Sequence, residues 1–572
     1  MKRPSAAAVP GVRMLLSYQA AWLPKDIVAG LVLTALLVPQ GMAYAELAGL
    51  PPITGLYTSI LCLVGYAIFG PSKILVLGPD SSLGPMIAAT ILPLMAANGD
   101  PARAVALASM LALFVGAIMV LGGIAKFGFV ADLLSKPTMI GYMNGLALTI
   151  LVGQLPKLFG FSVDADGFIP ELKGFVNGVA DGETVTAALA VGALGLVTIG
   201  VLQRLLPKIP AVLVAVLLSI LAAKLFQLGE HGVSLVGTLP QGFPPLTLPS
   251  VGLSDLPLLL GGAAGIALVA LADTIATSSA FAERTGQDVD GSQEMVGIGT
   301  ANIAAGLFQG FPVSTSGSRT AVAEQTGAKT QLTGIVGALA ITLMLLLVPG
   351  LLRNLPQPTL AAVVIAASLS LADLPATMLL WKRRRTEFAV STAAFLGVVL
   401  FGVLPGIAIA VAVSVGVAFQ RSWWPYQTML GRVEGLPGYH DVRSYPQAAV
   451  LPGLVVFRFD APLFFANART FREQIRQLAA EEPPPTWILV AAEPITDVDT
   501  TAADMLEELD EALNSRGISL VFAEMKDPVR RKIERYQLTR TIDPEHFFPT
   551  LDAAITAFRQ QTGANWTHTS GG

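Results

Sequence analysis

The segment from Phe311 to Gly327, FPVSTSGSRTAVAEQTG, places polar side chains in some of the most apolar sequence of the chain. Five hydroxyl residues lie between Ser314 and Thr320, and Arg319 adds a permanent positive charge. Pro312 and Gly317 are expected to interrupt a helix, and free amides at the start of a helix attract negative charge. Such donors can replace the water around a dehydrated anion. The candidate contacts are Ser316, Gly317, Ser318 and Arg319.

A second polar interruption, LGPDSSLGPM, breaks an apolar block in the first half of the chain. Its glycines and prolines predict a short extended piece followed by a half-helix, as in the second half. Two such N-termini that face each other near the bilayer midplane would form an anion site, to which Asp80, Ser81 and Ser82 contribute. Two alternatives remain open. The hydroxyls cap polar loops at the membrane surface, or Asp80 only caps its helix instead of being protonated when the anion arrives.

Asp273 is a carboxylate with about four turns of apolar helix on its N-terminal side, in GIALVALADTIATSSAFAERTG. A helix places Thr277 one turn further along the same face. A carboxylate beside a hydroxyl suits coordination of Na⁺, a hard cation that prefers oxygen ligands, or reversible protonation. A role as the neutralising partner of Arg319 is the structural alternative, and it is compatible with ion coupling.

The composition indicates a polytopic membrane protein. Of 572 residues, 53% are hydrophobic and 13% are charged, with a mean hydropathy of +0.64. Many apolar blocks approach the roughly 20 residues that cross a bilayer, for example IVAGLVLTALLVPQGMAYAEL. One cysteine, four scattered histidines and a formal charge of −4 argue against a disulfide, a zinc or haem site and a nucleic-acid partner. No cofactor is expected, and no nucleophile–base pair or nucleotide loop suggests an enzyme.

Lysine and arginine placement predicts the orientation in the membrane. The strongest basic cluster, Lys382–Arg385, falls on the cytoplasmic side together with both termini when fourteen spans are assigned. Twelve complete spans with two half-spans would look the same. SKPTMIGYMNGLALTIL at Ser135 weakly resembles PQPTLAAVVIAASLSL at Pro356. The two halves, about 26–227 and 254–420, are therefore predicted to be inverted repeats of seven segments each.

Charged residues return near Gln420, and the apolar runs shorten to strand length. GLVVFRFD, TWILVAA and ISLVFAE alternate with amphipathic helical patterns, which predicts a small α/β domain. The predicted boundaries are a cytoplasmic N-terminal segment at 1–25, a transmembrane transport domain at 26–420, a linker at 421–450, the α/β domain at 451–562 and a tail at 563–572.

The segment VPQGMAYAELAGLPPITGLYTSI, from Val38 to Ile60, resembles the signature of the SulP (sulfate permease) family of anion transporters. QEMVGIGTANIAAGLFQGFPVSTSGSRTAVAEQTGAKTQLTG resembles the second-half signature of that family. The resemblance implies fourteen membrane segments in two inverted repeats, divided into a core and a gate domain, with homodimers common. It also implies that substrate lies between the half-helices of segments three and ten, beside segment one.

Carried onto matching positions, the resemblance adds Gln40 and Tyr44 as substrate contacts beside Asp80–Ser82, Ser318 and Arg319. Asp273 and Thr277 resemble the acidic and hydroxyl positions that hold Na⁺ in the bicarbonate-transporting branch, although many relatives have Glu in place of Asp273. Asp80 stands where animal members have an apolar or aromatic residue, so their halide preference is not carried over.

In the C-terminal region, APLFFANARTF and ITDVDTTAADMLEELDEAL resemble the STAS domain of the same family. Thr501 matches the phosphorylated serine of anti-sigma-antagonist relatives, but a threonine at a helix start is often an N-cap, and the cap is the favoured interpretation. Ala491 replaces an aspartate found in many relatives. The resemblance therefore implies a regulatory and dimerising module rather than a catalytic one.

These features predict a secondary active transporter of a small inorganic anion, with sulfate favoured, coupled to H⁺ or Na⁺ by alternating access. Symport of bicarbonate or a C4-dicarboxylate remains open, because the oxygens of each anion would accept from the same donors. An anion channel or exchanger regulated through the STAS domain is a further alternative. The expected location is the plasma (inner) membrane. The expected partners are the anion, the lipid bilayer, a second copy of the chain and a cytoplasmic regulatory protein.

Overall fold

The computed structural model describes residues 9–95, 99–129, 134–163, 165, 167–206, 209–285 and 289–568. The first eight residues of the predicted N-terminal segment and the last four of the predicted tail lie outside the described residues. The chain forms two compact units, Met1–Val415 and Gly416–Gly572, and each is described by itself below.

The first half of the membrane unit consists of helices interrupted by one very short strand. After the short helix α1 (Pro10–Leu16) come α2 (Leu23–Leu47), α3 (Pro52–Phe69), β1 (Leu77–Gly78), α4 (Gly84–Ile91), α5 (Pro101–Ile124), α6 (Lys136–Phe159), α7 (Phe168–Ala180), α8 (Thr186–Leu205) and α9 (Ala211–Leu225).

The second half repeats this order of elements. It contains α10 (Leu256–Thr285), α11 (Gly291–Leu307), β2 (Ser314–Thr315), α12 (Gly317–Gln325), α13 (Leu332–Leu347), α14 (Gln357–Leu371), α15 (Leu374–Arg383), α16 (Arg385–Phe401) and α17 (Val403–Trp423). In both halves two helices precede a strand with a short helix, and one short helix, α7 or α15, follows the fifth segment. The internal repeat predicted from Ser135 and Pro356 is visible here, since these residues immediately precede α6 and α14.

Eight helices within the described residues are long and apolar enough to cross a membrane, as judged from length and composition. They are α2, α3, α5, α6, α8, α10, α14 extended into α15, and α17. The other repeat segments, α4, α9, α11, α12, α13 and α16, are shorter or more polar. This set is consistent with the predicted fourteen segments, two of which are strand–half-helix segments.

Packing divides these helices into two groups. In one group, α2–α5 pack with α10–α13, and in the other, α6–α9 pack with α14–α16, while α17 contacts α16 through Gly406 and Val398. Helices α5 and α11 approach closely because Gly116 faces Gly299. A Cβ atom on Gly116 would lie 2.6 Å from the Gly299 carbonyl oxygen. Small residues at such crossings let helix backbones contact each other in a membrane, where no hydrophobic effect drives association.

The C-terminal unit is an α/β domain. Its elements are β3 (Gln427–Arg432), β4 (Tyr439–Asp441), β5 (Ala449–Val450), β6 (Leu454–Phe459), α18 (Ala468–Leu478), β7 (Trp487–Ala491), α19 (Thr500–Asn514), β8 (Ser519–Ala523), α20 (Asp527–Arg535), β9 (Phe547–Phe548), α21 (Leu551–Thr562) and β10 (Thr567–His568). The strand order is β10-β5-β3-β6-β7-β8-β9, with β4 paired to β3.

The three strands predicted from apolar runs, β6, β7 and β8, form the parallel centre of the sheet. Helices α18, α19 and α20 cover one face of the sheet, and α21 packs on the other. The predicted linker at 421–450 differs from the structure, since it holds β3, β4 and β5. The predicted tail likewise holds β10. These strands are short and lack a continuous apolar run, which explains why the pattern did not indicate them.

Candidate functional site

The two polar interruptions meet as a two-stranded antiparallel sheet inside the membrane unit. In this sheet Leu77 pairs with Thr315 and Gly78 pairs with Ser314. The Ser316 amide continues the ladder with a 3.0 Å hydrogen bond to the Val76 carbonyl oxygen. Pairing satisfies the backbone groups that an extended segment would otherwise leave unbonded at membrane depth. The predicted extended piece followed by a half-helix is observed in both halves of the unit.

Side chains of the neighbouring helices hold the extended segment before β2. Asn302 of α11 forms hydrogen bonds with both backbone groups of Val313. Its Oδ1 accepts from the amide at 2.9 Å, and its Nδ2 donates to the carbonyl oxygen at 3.2 Å. Thr58 accepts from the Phe311 amide, and Ser109 donates to the Gly310 carbonyl oxygen. Sequence reasoning missed these positioning residues, because single polar residues in apolar helices give no signal about the backbone that they hold.

Helix α12 starts directly after β2 with a serine N-cap. Ser316 Oγ accepts from the Arg319 amide at 3.4 Å and lies 3.1 Å from Ser318 Oγ. The Ser316 carbonyl oxygen accepts from the Thr320 amide at 2.9 Å. The amides of Gly317 and Ser318 are first-turn donors with no intrahelical acceptor. This helix start therefore presents two amides and two hydroxyls to whatever lies in front of it.

The start of α4 is organised by Asp80. Its Oδ1 accepts from the Ser82 amide at 3.0 Å and from Ser82 Oγ at 2.8 Å, and its carbonyl oxygen accepts from the amides of Leu83 and Gly84. Leu83 and not Asp80 is the N-cap of α4, so the capping alternative is not observed, and Asp80 instead stabilises the turn before the helix. It does not face away, however, because it also lines the cavity described below.

Arg319 lies between the two half-helices. Its side chain is 1% exposed, and Nη1 donates a 2.7 Å hydrogen bond to the Pro79 carbonyl oxygen. Nη2 lies 3.8 Å from Asp80 Oδ2, and neither Nη2 nor Nε has a hydrogen-bond partner among the described residues. The ion-pair partner of Arg319 is therefore Asp80, and the proposed pairing with Asp273 is not observed. Two guanidinium donor atoms remain unused.

Asp273 reaches the first half-helix from α10. Ser82 Oγ lies 3.2 Å from Asp273 Oδ2, so one hydroxyl contacts two carboxylates. Thr277 lies one turn further along α10, and its Oγ1 would be 3.9 Å from a Cβ atom added at Gly317. The predicted role of Asp273 and Thr277 in binding a coupling cation stays a prediction. Within the described residues, no set of three or more His, Cys, Asp or Glu residues suited to a metal ion occurs.

A cavity of about 540 Å³ lies against both half-helix starts. All predicted contacts except Ser82 line it, and their role in binding stays a prediction. The opposite wall comes from α6, α8, α9 and α14. Two polar residues of this wall, Gln203 and Ser370, were not singled out from the sequence, because each lies near a helix end where polar residues are common. The predicted residues in the lining are Gln40, Tyr44, Asp80, Ser81, Asp273, Thr277, Ser316, Gly317, Ser318 and Arg319.

A second cavity of about 750 Å³ runs along α4 and past its C-terminal end. Its lining comes from several residues between Pro85 and Pro93, from the end of α6 with Lys157, and from the α16–α17 connection. The two cavities share no lining residue. Along α2, Tyr44 lines the first cavity and Glu46 lines the second. These two residues are less than one helical turn apart.

The C-terminal unit corrects one prediction about Thr501. The N-cap of α19 is Asp499, whose Oδ1 accepts from the Ala502 amide at 2.8 Å, and Thr501 is an exposed residue in the first turn. The cap prediction for the threonine is wrong, because an aspartate two residues earlier caps the helix and also accepts from the Phe465 amide. Modification of Thr501 stays a prediction.

Comparison with known proteins identifies the family. Residues 23–394 match the Sulfate permease family, and residues 445–554 match the STAS domain. The chain is 40% identical over 558 residues to a probable sulfate transporter of Mycobacterium tuberculosis (strain ATCC 25618 / H37Rv), an alignment that covers 97% of this chain and 99% of that protein. The chain belongs to the sulfate permease family. Proteins of this family are membrane transporters and not enzymes, and membership supports anion transport by this chain.

More distant members and solved structures agree with this assignment. A chloroplastic sulfate transporter 4.1 of Arabidopsis thaliana is 28% identical, over 96% of this chain and 82% of that protein. The structure of the murine Slc26a9 anion transporter in the inward-facing state has a TM-score of 0.89 at 24% identity, covering 97% and 94% of the two chains. The transmembrane domain of a cyanobacterial bicarbonate transporter, BicA, has a TM-score of 0.61 at 21% identity, covering 70% and 99%. At these identities the structures show the shared fold.

Proposed function

We propose that the protein carries a small oxyanion, with sulfate favoured, across the membrane together with a cation. The observation that carries the proposal is the set of unused donors at one point of the cavity. Gly317, Ser318 and Arg319 line the same cavity; the two mutually bonded hydroxyls of Ser316 and Ser318 leave one proton free, and the buried Nε and Nη2 of Arg319 have no partner among the described residues. Amides at a helix start and a buried guanidinium bind an oxyanion through charge-assisted hydrogen bonds.

The charges around the cavity favour cation coupling. Two carboxylates, Asp80 and Asp273, stand against one guanidinium, Arg319, which leaves one net negative charge when both acids are ionised. A sulfate ion that entered this site alone would meet like charge in a region of low dielectric, where Coulomb repulsion is strong. A proton or Na⁺ that arrives with the anion removes this repulsion. A passive anion channel would gain nothing from such carboxylates.

Sulfate is the favoured substrate because the curated relatives that match nearly the whole chain carry the name sulfate transporter. Its tetrahedral oxygens would accept from the start of α12 and from the Arg319 guanidinium at once. Bicarbonate and C4-dicarboxylates present carboxylate-type oxygens to the same donors, so they are the competitors that an experiment must include.

Alternating access is supported by the two separate cavities. The first extends to Gln203 and Pro210 at the α8–α9 connection, which the basic residues assign to the cytoplasmic side. The second runs along α4 and past its C-terminal end. Movement of the α6–α9 and α14–α17 group against the half-helices would close one cavity and open the other. The proposal includes cytoplasmic termini in the plasma (inner) membrane, a homodimer, and regulation through the STAS domain.

Uptake into proteoliposomes tests the function. The purified full-length protein is reconstituted, and radiolabelled sulfate, bicarbonate and succinate are compared under an imposed H⁺ gradient, an imposed Na⁺ gradient and no gradient. Gradient-driven sulfate accumulation above that of protein-free liposomes is expected. Accumulation of only one of the competitors would reassign the substrate, and a current without accumulation would indicate a channel.

A further inference from the structure

We propose that Asp80 and Asp273 share a single proton through the Ser82 hydroxyl, and that the coupling ion is H⁺. The geometry is a chain of three oxygen atoms. Ser82 Oγ lies 2.8 Å from Asp80 Oδ1 and 3.2 Å from Asp273 Oδ2, and Ser82 is buried. Both distances are hydrogen-bond distances.

A hydroxyl group carries one proton and therefore donates one hydrogen bond, while its oxygen accepts others. If both carboxylates were ionised, one of the two contacts would set an oxygen lone pair against a carboxylate oxygen. A proton on either acid removes that conflict, because the protonated acid donates to Ser82 Oγ and Ser82 donates to the other acid. The chain of contacts therefore fits one proton for the two acids.

The surroundings place that proton on Asp273 before the anion binds. Asp80 accepts from the Ser82 amide and lies beside Arg319, and both contacts stabilise its ionised form. Asp273 has no such partner among the described residues. Transfer is then a short relay: the Asp273 proton moves to Ser82 Oγ as the Ser82 proton moves to Asp80 Oδ1. No atom is gained or lost.

The anion would trigger this relay through Arg319. The Nη2 and Nε donors of Arg319 are buried and have no partner in the described part of the chain, and Nη2 is 3.8 Å from Asp80 Oδ2, too far for a hydrogen bond. When a bound anion takes these donors, Asp80 loses the charge that kept it ionised and accepts the proton. Asp273 is left ionised and able to take up the next proton.

Few other ionisable groups face the pair. Tyr44 of α2 lies near Asp80 and Arg319, and Tyr142 of α6 lies near Asp273. Two charged residues elsewhere on the packed helices have partners of their own, since Arg103 of α5 pairs with Asp255 and Glu294 of α11 accepts from Tyr66 and Ser72, while Glu46 of α2 lines the second cavity. The shared proton is therefore controlled mainly by Arg319 and by the anion.

This inference rests on the proposed function, and two measurements on the same proteoliposomes separate them. Exchange of labelled for unlabelled sulfate reports the anion site, and acidification of the lumen during sulfate entry, read with a trapped pH dye, reports the coupling. The variants are Asp80→Asn, Asp273→Asn and Ser82→Ala. Asp181→Asn, the same change at an exposed residue, is the control.

For the wild-type protein and the control, sulfate entry should acidify the lumen. Asp80→Asn and Asp273→Asn should each reduce the acidification per sulfate ion exchanged to the level of protein-free liposomes, and the exchange that each variant retains should lose its pH dependence. Ser82→Ala should slow acidification more than exchange. Only Asp80→Asn separates a shared proton from a proton held by Asp273 alone, and Ser82→Ala is the second variant that tests the same relay if Asp80→Asn does not fold.

Wild-type acidification by Asp80→Asn would overturn the shared proton, since Asp273 would then work alone. Sulfate entry that carries Na⁺ and leaves the lumen pH unchanged would also overturn it. Absence of sulfate exchange by the wild-type protein at every pH would instead remove the proposed function, and the inference with it.

Discussion

Arg319 Nη1 donates a 2.7 Å hydrogen bond to the carbonyl oxygen of Pro79, so a guanidinium from the second half of the membrane unit binds the broken backbone of the first half. Arg319 also lines the cavity, and its buried Nε and Nη2 atoms have no hydrogen-bond partner among the described residues. Arg319 therefore connects the two half-helices and supplies a positive charge between them. This double role explains why a single arginine is present where burial of a charge is costly.

Replacement of Arg319 should separate these two roles. Arg319→Lys keeps the charge, but an ammonium group cannot hold Pro79 and an anion in the fixed geometry of a guanidinium. We expect about 10- to 100-fold weaker sulfate binding for Arg319→Lys, the loss of one or two charged hydrogen bonds, and no measurable transport for Arg319→Ala. Sulfate concentration dependence of exchange in proteoliposomes gives the comparison. Arg353→Ala, at an exposed arginine, is the control, and normal transport by Arg319→Ala would contradict the site.

Replacement of Asn302 should destabilise the membrane unit from within. Asn302→Leu has similar volume but leaves the buried amide and carbonyl groups of Val313 without their partner. The expected loss is about 2–6 kcal/mol, because each of the two unsatisfied buried groups costs about 1–3 kcal/mol. Thermal unfolding of the detergent-solubilised protein measures it. Thr300→Val on the same helix, which removes only a bond to Gly297 of its own helix, should cost much less. Equal losses would show that Asn302 does not hold this segment.

The close crossing of α5 and α11 predicts a difference between two glycines. A Cβ atom at Gly116 would lie 2.6 Å from both the Gly299 carbonyl oxygen and Ile303 Cγ1. Gly116→Ala should therefore destabilise the protein by about 1–3 kcal/mol, the usual cost of overpacking. Gly200→Ala, where nothing lies within 4 Å of the added atom, should leave stability unchanged. The melting temperatures of the two variants, measured in the same detergent, decide the question. A stable Gly116→Ala protein would mean that the helices separate easily.

The C-terminal domain should become less stable between about pH 4 and pH 6 because of Asp510. The side chain is 1% exposed, and burial raises the pKa of Asp510 from 3.8 to about 6, despite the hydrogen bond that Asn514 donates to it. A raised carboxyl pKa means that the folded state binds the proton more tightly than the unfolded state. The stabilisation is therefore complete below about pH 4 and is lost as the pH rises to about 6.

Asp510→Asn should remove this slope and raise stability at pH 7 by at most about 3 kcal/mol, the free energy of a two-unit pKa difference. Asn keeps an oxygen that accepts from Asn514. Circular dichroism of residues 427–568, melted at several pH values, provides the measurement. Asp504→Asn, at an exposed position of the same helix, should keep the slope. An unchanged pH profile in Asp510→Asn would rule out this carboxyl group as its cause.

The sequence predicted the structure best where a residue type has one dominant structural effect. Prolines and glycines in two apolar blocks indicated both half-helices, and apolar runs of strand length indicated β6, β7 and β8. The Arg319–Asp80 contact was not foreseen, because sequence spacing does not tell which of two acids a charge will meet. Asp499 and Thr501 are both plausible caps, and only the backbone angles at the start of α19 decide between them. The short strands β3, β4, β5 and β10 depend on partners far away in sequence.

The central claim is that the anion binds between the starts of α4 and α12. The most direct test is a crystal structure with selenate, a heavier analogue of sulfate, located by the anomalous signal of selenium. The predicted result is a peak within hydrogen-bonding reach of the Gly317 and Ser318 amides and of Arg319 Nη2. A selenate ion found instead in the second cavity near Lys157, with the space before the two half-helices empty, would contradict the account.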